Sequence, residues 1–291
     1  MKKLVIIFSS VFLLLFAAVA LLKLQRAEQV TGDSAGGLGA IEKEHIQQFW
    51  QHYRGATKHR IAGELTAAID AYSQALTLNE KHEDTLYYLG NMYWELGNYR
   101  AAESAWKRLV QVNPDSPRGH LRLGDLYLCF ENKALFNIAA AEREYERAFK
   151  INREETGSLL RLGQLALIRG RLGEAQGYFE AVLGTNDRSL EAQYLSGYIA
   201  WKHRFLVAAA TRLGLAVQYS QTADTSRGNL GEGATKSGRP LTVSSRSDCR
   251  IFSRYLADLA QLQPPIPADL VERSYQDLDA LLQRIRKQAE S

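Results

Sequence analysis

LYYLGNMYWELGNYRAAESAWKRLVQVNPDS, residues 86–116, sets two small residues, Gly90 and Ala102, twelve apart among large apolar ones and closes on Pro114. The pattern recurs. Ala56, Gly90, Gly124, Gly163 and Gly197 follow one another at steps of 34, 34, 39 and 34 residues. Ala68, Ala102, Ala141, Ala175 and Ala209 supply the second small residue, twelve places on, except in the third unit, where the gap is seventeen. A fixed period in this range marks a solenoid, in which each unit buries its apolar face only by stacking on its neighbours. No alternating strand pattern of comparable length competes with it.

The bulk numbers exclude more than they assert. The 291 residues hold 36 basic and 32 acidic side chains, for a formal charge of +4. No dense basic stripe stands out, so nucleic acid is not an expected partner. Cys129 and Cys249 are too few and too far apart for a disulfide framework or a zinc site. Each reads as a small buried apolar residue. A single Cys129–Cys249 bridge fits an exported domain, although the spacing does not demand it.

Lys2 and Lys3 precede an uncharged, mostly apolar run over residues 4–22. A helix needs roughly 20 such residues to span a bilayer. Two readings stand. Residues 1–23 form an uncleaved transmembrane anchor, or they form a signal peptide cut after Ala18-Val19-Ala20. The charge placement keeps the amino terminus in the cytoplasm and puts the rest outside it, periplasmic in a Gram-negative cell. After cleavage the chain is secreted or periplasmic. Residues 24–40 read as a flexible linker.

Helical sequence occupies 41–220 in five units, about 49–82, 83–116, 117–155, 156–189 and 190–220. Gly63, Gly97 and Gly170 fall between the helices of their units, and Asn79, Pro114 and Asn186 at the ends of second helices. Residues 221–248 are rich in Gly, Ser and Thr and read as a loop. Two helices over 249–291 then cap the solenoid. In the second, Val271, Tyr275, Leu278, Leu282 and Ile285 make an apolar stripe, and residues 267–288 could pair with a second copy of the chain.

At the motif level the chain resembles the tetratricopeptide repeat. The second unit carries the resemblance best, in Leu86, Leu89, Gly90, Tyr93, Ala102, Trp106 and Pro114. The third unit keeps Leu123, Gly124, Tyr127, Ala141, Tyr145 and Ala148; the fourth keeps Leu162, Gly163, Ala175 and Phe179. The fifth departs: Arg204 stands where the turn glycine belongs. The resemblance covers about 180 of the 291 residues. It implies an all-α, right-handed solenoid of about five helix pairs, with C-terminal capping helices and an N-terminal hydrophobic helix. It also implies binding rather than catalysis. The aromatic four residues after each second small residue (Tyr72, Trp106, Tyr145, Phe179) would fill the space between adjacent units.

In this family the first helices line a concave, ligand-facing surface. Carried over by position, that lining is Trp50 and Tyr53 in the first unit and Tyr87, Asn91 and Trp94 in the second. Arg118, Leu121, Arg122 and Asp125 follow in the third, Arg161 and Gln164 in the fourth, and Tyr194, Tyr198 and Trp201 in the fifth. A groove aromatic at both ends with arginines in the middle suits a protein or peptide with acidic and apolar residues. The competing reading packs some of these aromatics against neighbouring helices.

Catalytic signals are missing. GEGATKSG, residues 231–238, has Thr235 where a phosphate loop needs glycine. His45, His52 and His59 lie seven apart on a helix, about 10.5 Å per step, too far to share a metal. HExxH and GxSxG are absent. The expectation is a membrane-tethered, non-enzymatic scaffold without cofactor or metal. A second reading makes it an accessory or regulatory subunit of an envelope enzyme, docked through its C-terminal helices.

Overall fold

The computed structural model describes residues 42–228 and, with interruptions, 251–290. The expected N-terminal helix and linker, the loop over 229–248 and Cys249 lie outside the described residues. Five helix pairs follow one another: α1 (42–62) with α2 (Leu65–Leu78), α3 (Glu83–Glu95) with α4 (Tyr99–Val112), α5 (Pro117–Tyr127) with α6 (Ile138–Ile151), α7 (Thr156–Ile168) with α8 (Leu172–Thr185), and α9 (Leu190–Lys202) with α10 (Leu206–Gly228). A further helix, α11 (Ala268–Ala289), comes back onto α7, α9 and α10. Among the described residues there is no strand, and no helix is long and apolar enough to cross a membrane.

Local chemistry sets the helix ends. Asn98, Ser116, Asn137 and Ser189 each accept the backbone N–H three residues on, satisfying a donor the helix leaves over. Pro117 sits in the first turn of α5, where its missing N–H costs nothing. Asn79, Asn113, Asn152 and Asn186 end the second helices of the first four units. Each Oδ1 accepts the N–H two residues on, which bends the chain toward the next unit.

The small residues of the first helices have a specific cause. A Cβ on Gly90, Gly124 or Gly163 would lie less than 3 Å from Trp106, Tyr145 or Phe179 respectively. Each fully buried ring lies flat against its own unit's first helix before it meets the next unit. The aromatics therefore close the pair internally as well as packing between units. Trp106 also packs with Leu123 and Leu126 of the third unit and donates Nε1–H to the Tyr87 carbonyl at 3.3 Å.

The turns inside pairs use left-handed backbone. Gly63, Gly97 and Gly170 each have φ 76°. Arg204 adopts φ 65° at the same place and makes the same pair of bonds, Arg204 N–H to the Trp201 carbonyl and Phe205 N–H to that of Ala200. A side chain in this conformation costs roughly 1–2 kcal/mol. Arg204→Gly should recover about 1 kcal/mol of that and raise the urea midpoint; an unchanged or lower midpoint would show the turn to be unstrained.

One boundary shifts. Helix α10 continues past Ser220 to Gly228, through a stretch whose composition alone argues for a loop, and Gln221 at its start donates to the Leu262 carbonyl at 2.8 Å. The extra residues of the third unit fold onto their neighbours. Phe130 and Phe136 meet edge to face at 6.0 Å against the core, and Asn137 N–H bonds the Tyr127 carbonyl. Cys129 is fully buried there, but it is disulfide-bonded rather than a free thiol.

Candidate peptide groove

The expected groove divides into an open half and an occupied one. At its N-terminal end, Trp50 and Tyr53 meet edge to face at 5.6 Å, and both pack around the His82 ring with Phe49. Trp50 remains 42 % exposed. His82 caps α3 by accepting the Thr85 N–H at Nδ1, 3.2 Å away. Burial holds its pKa below the ordinary value of 6.5, outweighing the nearby Asp84 and Glu83. The ring therefore stays neutral and keeps its acceptor.

Next along the groove, arginines lie over tyrosine rings. Arg118 stacks 4.8 Å from the Tyr87 centroid and Arg122 5.8 Å from it, while Arg60 covers Tyr88 at 4.5 Å. Arg118 also pairs with Asp84, and Arg122 reaches the Tyr87 hydroxyl at 3.4 Å. The Arg60 Nε is buried without a hydrogen-bond partner. Asn91 is half-buried. Trp94 is half-buried too, and packs against Tyr99 and Trp106 at 5.4 and 5.8 Å, so only part of it faces the groove. Leu121 is half-buried beside Gly157.

The middle is a closed polar network. Asp125, 8 % exposed, accepts from Arg161 Nε at 2.9 Å and from the Tyr145 hydroxyl at 3.1 Å. Arg161 reaches Glu191 at 3.6 Å and donates to Gln164, which itself donates to Glu191. Burial works against the Arg161 charge, but Asp125 and Glu191 outweigh it and raise the pKa. Burial and Asp125 push the Tyr145 hydroxyl far above its ordinary range. Of the three arginines expected in mid-groove, Arg161 is committed to Asp125 and Glu191, while Arg118 pairs with Asp84 and Arg122 lies 3.6 Å from Asp125.

The C-terminal end is covered. Tyr194, Tyr198 and Trp201, expected to line an open surface, are buried beneath α11. The Tyr198 hydroxyl donates to Asp279 at 2.6 Å, Trp201 Nε1 to Glu272 at 2.6 Å, and Tyr194 lies 3.0 Å from the Ser274 hydroxyl. Burial raises the Tyr198 pKa, with Asp279 adding to it. Further along, Arg286 donates to the Leu167 and Ile168 carbonyls at the end of α7, and Gln288 to the Phe130 carbonyl. Helix α11 thus crosses the first helices in reverse order. Its apolar stripe of Val271, Tyr275, Leu278, Leu282 and Ile285 is buried within the chain. That stripe offers nothing to a second copy, which removes the basis for dimerisation through 267–288, and the helix does more than cap an end.

Tetratricopeptide-repeat models match residues 59–128 and 160–224. Both matched stretches fold as stacked helix pairs, the architecture that these models describe. Among solved structures, a MamA protein is 19 % identical, with a TM-score of 0.50 over 64 % of this chain and 97 % of that one. A MamA RS-1 double mutant is 13 % identical, with a TM-score of 0.52 over 61 % and 97 %. Both likenesses concern the fold alone. No curated protein matches the sequence. Solenoids of stacked helix pairs in general present an extended concave surface on which other chains bind. Sequence reasoning also gives Arg60 a groove position, but not its stacking on Tyr88, and it reads α11 as a cap rather than an occupant. The four-three spacing of the α11 stripe was the available signal.

Proposed function

We propose that this is a membrane-tethered scaffold that binds a protein segment in the N-terminal half of its groove, on the outer side of a cytoplasmic membrane. The observation that carries the reading is the contrast between the two halves. The C-terminal half holds an amphipathic helix whose Glu272 and Asp279 take hydrogen bonds from Trp201 and Tyr198. The N-terminal half offers the same kind of lining, in Trp50, Tyr53, Tyr87 and Asn91, with an unsatisfied Arg60 Nε beside them. The segment it fits is amphipathic, with carboxylates that can address Arg60 and Arg122 and compete with Asp84 for the exposed Arg118. The uncharged run over residues 4–22 supports the tether, and a disulfide at Cys129 accords with an oxidising compartment.

The test is photocrosslinking from position 91 in the full chain, in native membranes. The adduct should fall at least about 30-fold in a Trp50→Ala, Arg118→Ala variant, as loss of a central anchor at ~2 kcal/mol requires. It should survive Arg273→Ala and Arg284→Ala on the outer face of α11. Loss of the adduct only with the α11 changes would instead favour an accessory subunit docked through its C-terminal helix.

A further inference from the structure

The turns between first and second helices lie along one edge of the stack, and in three of them a single apolar residue opens the second helix, Leu65, Tyr99 or Leu172, flanked on both sides by polar or small residues. Glu64, Asn98 and Arg171 hold the N-cap positions of α2, α4 and α8, and Thr66, Arg100 and Gly173 the second helical positions. The fifth turn breaks this rule. Phe205 stands just before α10, and Leu206 and Val207 open it. Their side chains are 65, 53 and 83 % exposed. Three consecutive large apolar residues project into solvent from a turn held in left-handed backbone.

Charge accompanies them. Residues 192–223 contain no Asp or Glu, while Lys202, His203 and Arg204 immediately precede the apolar triplet. Lys202 pairs with Asp279, but His203 and Arg204 are exposed, and the His203 ring lies 6.2 Å from that of Phe205. Geometry separates the occupants this surface could take. At a helix start, successive side chains turn by about 100°, so residues 205–207 fan across some 200°. A protein pocket receives one such direction, whereas the interfacial zone of a bilayer receives all of them and draws in basic neighbours through anionic headgroups.

We propose that the 202–207 turn seats on an anionic bilayer surface, with Phe205, Leu206 and Val207 at the acyl boundary and His203 and Arg204 at headgroup level. This is a second contact, separate from the tether at residues 4–22, and it would fix how the groove is presented to the membrane. Its test uses the full chain reconstituted in vesicles containing phosphatidylglycerol, with a photoreactive residue at position 207 or, as control, at exposed position 153 on the opposite edge. Lipid adducts from 207 should exceed those from 153 at least about tenfold, and should fall severalfold in Arg204→Glu or in pure phosphatidylcholine. Flotation with the vesicles, read in parallel, reports the tether. Flotation with equal adducts from 207 and 153 would overturn the seat and leave the tether standing. In native membranes, adducts from 207 to a protein in place of lipid would overturn it in favour of a protein contact.

Discussion

Tyr275→Ala should destabilise the C-terminal half of the solenoid by ~3–5 kcal/mol, the range for removing a large aromatic from a packed core. The residue is fully buried, its ring 5.4 Å from Tyr194, 6.2 Å from Trp201 and 6.3 Å from Tyr198. It also stands where the earlier units place their own aromatic. A Cβ on Gly197 would collide with the Tyr275 hydroxyl, as one on Gly90 would with Trp106, while the fifth unit's own residue at that position is Leu213. The fifth pair is therefore incomplete without α11. Because repeat arrays couple mainly to their neighbours, the loss should appear as an early urea transition confined to the fourth and fifth units. Fluorescence of Trp201 should follow that transition while Trp50 reports the later one. A variant losing less than 1 kcal/mol would mean that α11 lies on the groove without completing it.

What could be read in advance follows from where the information sits. The period, the helix pairs and the small residues are local, and the spacing of Gly90, Gly124 and Gly163 from their aromatics announces a ring against each glycine. Asn79 and Asn186 signal helix ends through their own side chains. The groove positions follow from the repeat register, and Glu191 on α9 does reach Arg161 and Gln164 on α7. Their occupancy was not legible, because it depends on a helix about 75 residues away whose stripe would equally fit a partner chain. The arginines misled for a similar reason. Arg118 and Asp84 are 34 residues apart and Arg161 and Asp125 36, about one repeat in each case, so the counter-charge lies on the preceding unit and only the stacking register reveals it. Composition misplaced the end of α10, since propensity is a weak guide where a helix simply continues from a packed one.

Asp125→Ala should cost ~3–5 kcal/mol, as removal of one partner from a buried ion pair does. The carboxylate serves three groups at once: Arg161 at 2.9 Å, the Tyr145 hydroxyl at 3.1 Å and, more distantly, Arg122 at 3.6 Å. Its loss leaves the Arg161 guanidinium with the neutral Gln164 at 3.1 Å and the Glu191 carboxylate at 3.6 Å, and orphans a hydroxyl on a fully buried ring. The comparison that isolates the charge is a cycle with Arg161→Met. If the pair is worth little beyond its own desolvation, the double variant Asp125→Leu, Arg161→Met should be within about 1 kcal/mol of the parent, far from the sum of Asp125→Leu and Arg161→Met measured singly. Tyr145→Phe, which removes only the hydroxyl bond, should cost about 1 kcal/mol. The network lies between the open and occupied halves of the groove, joining α5, α6, α7 and α9. A double variant that folds well but captures the partner of position 91 less efficiently would show that these charges hold the register of the lining. Full capture would assign them to stability alone.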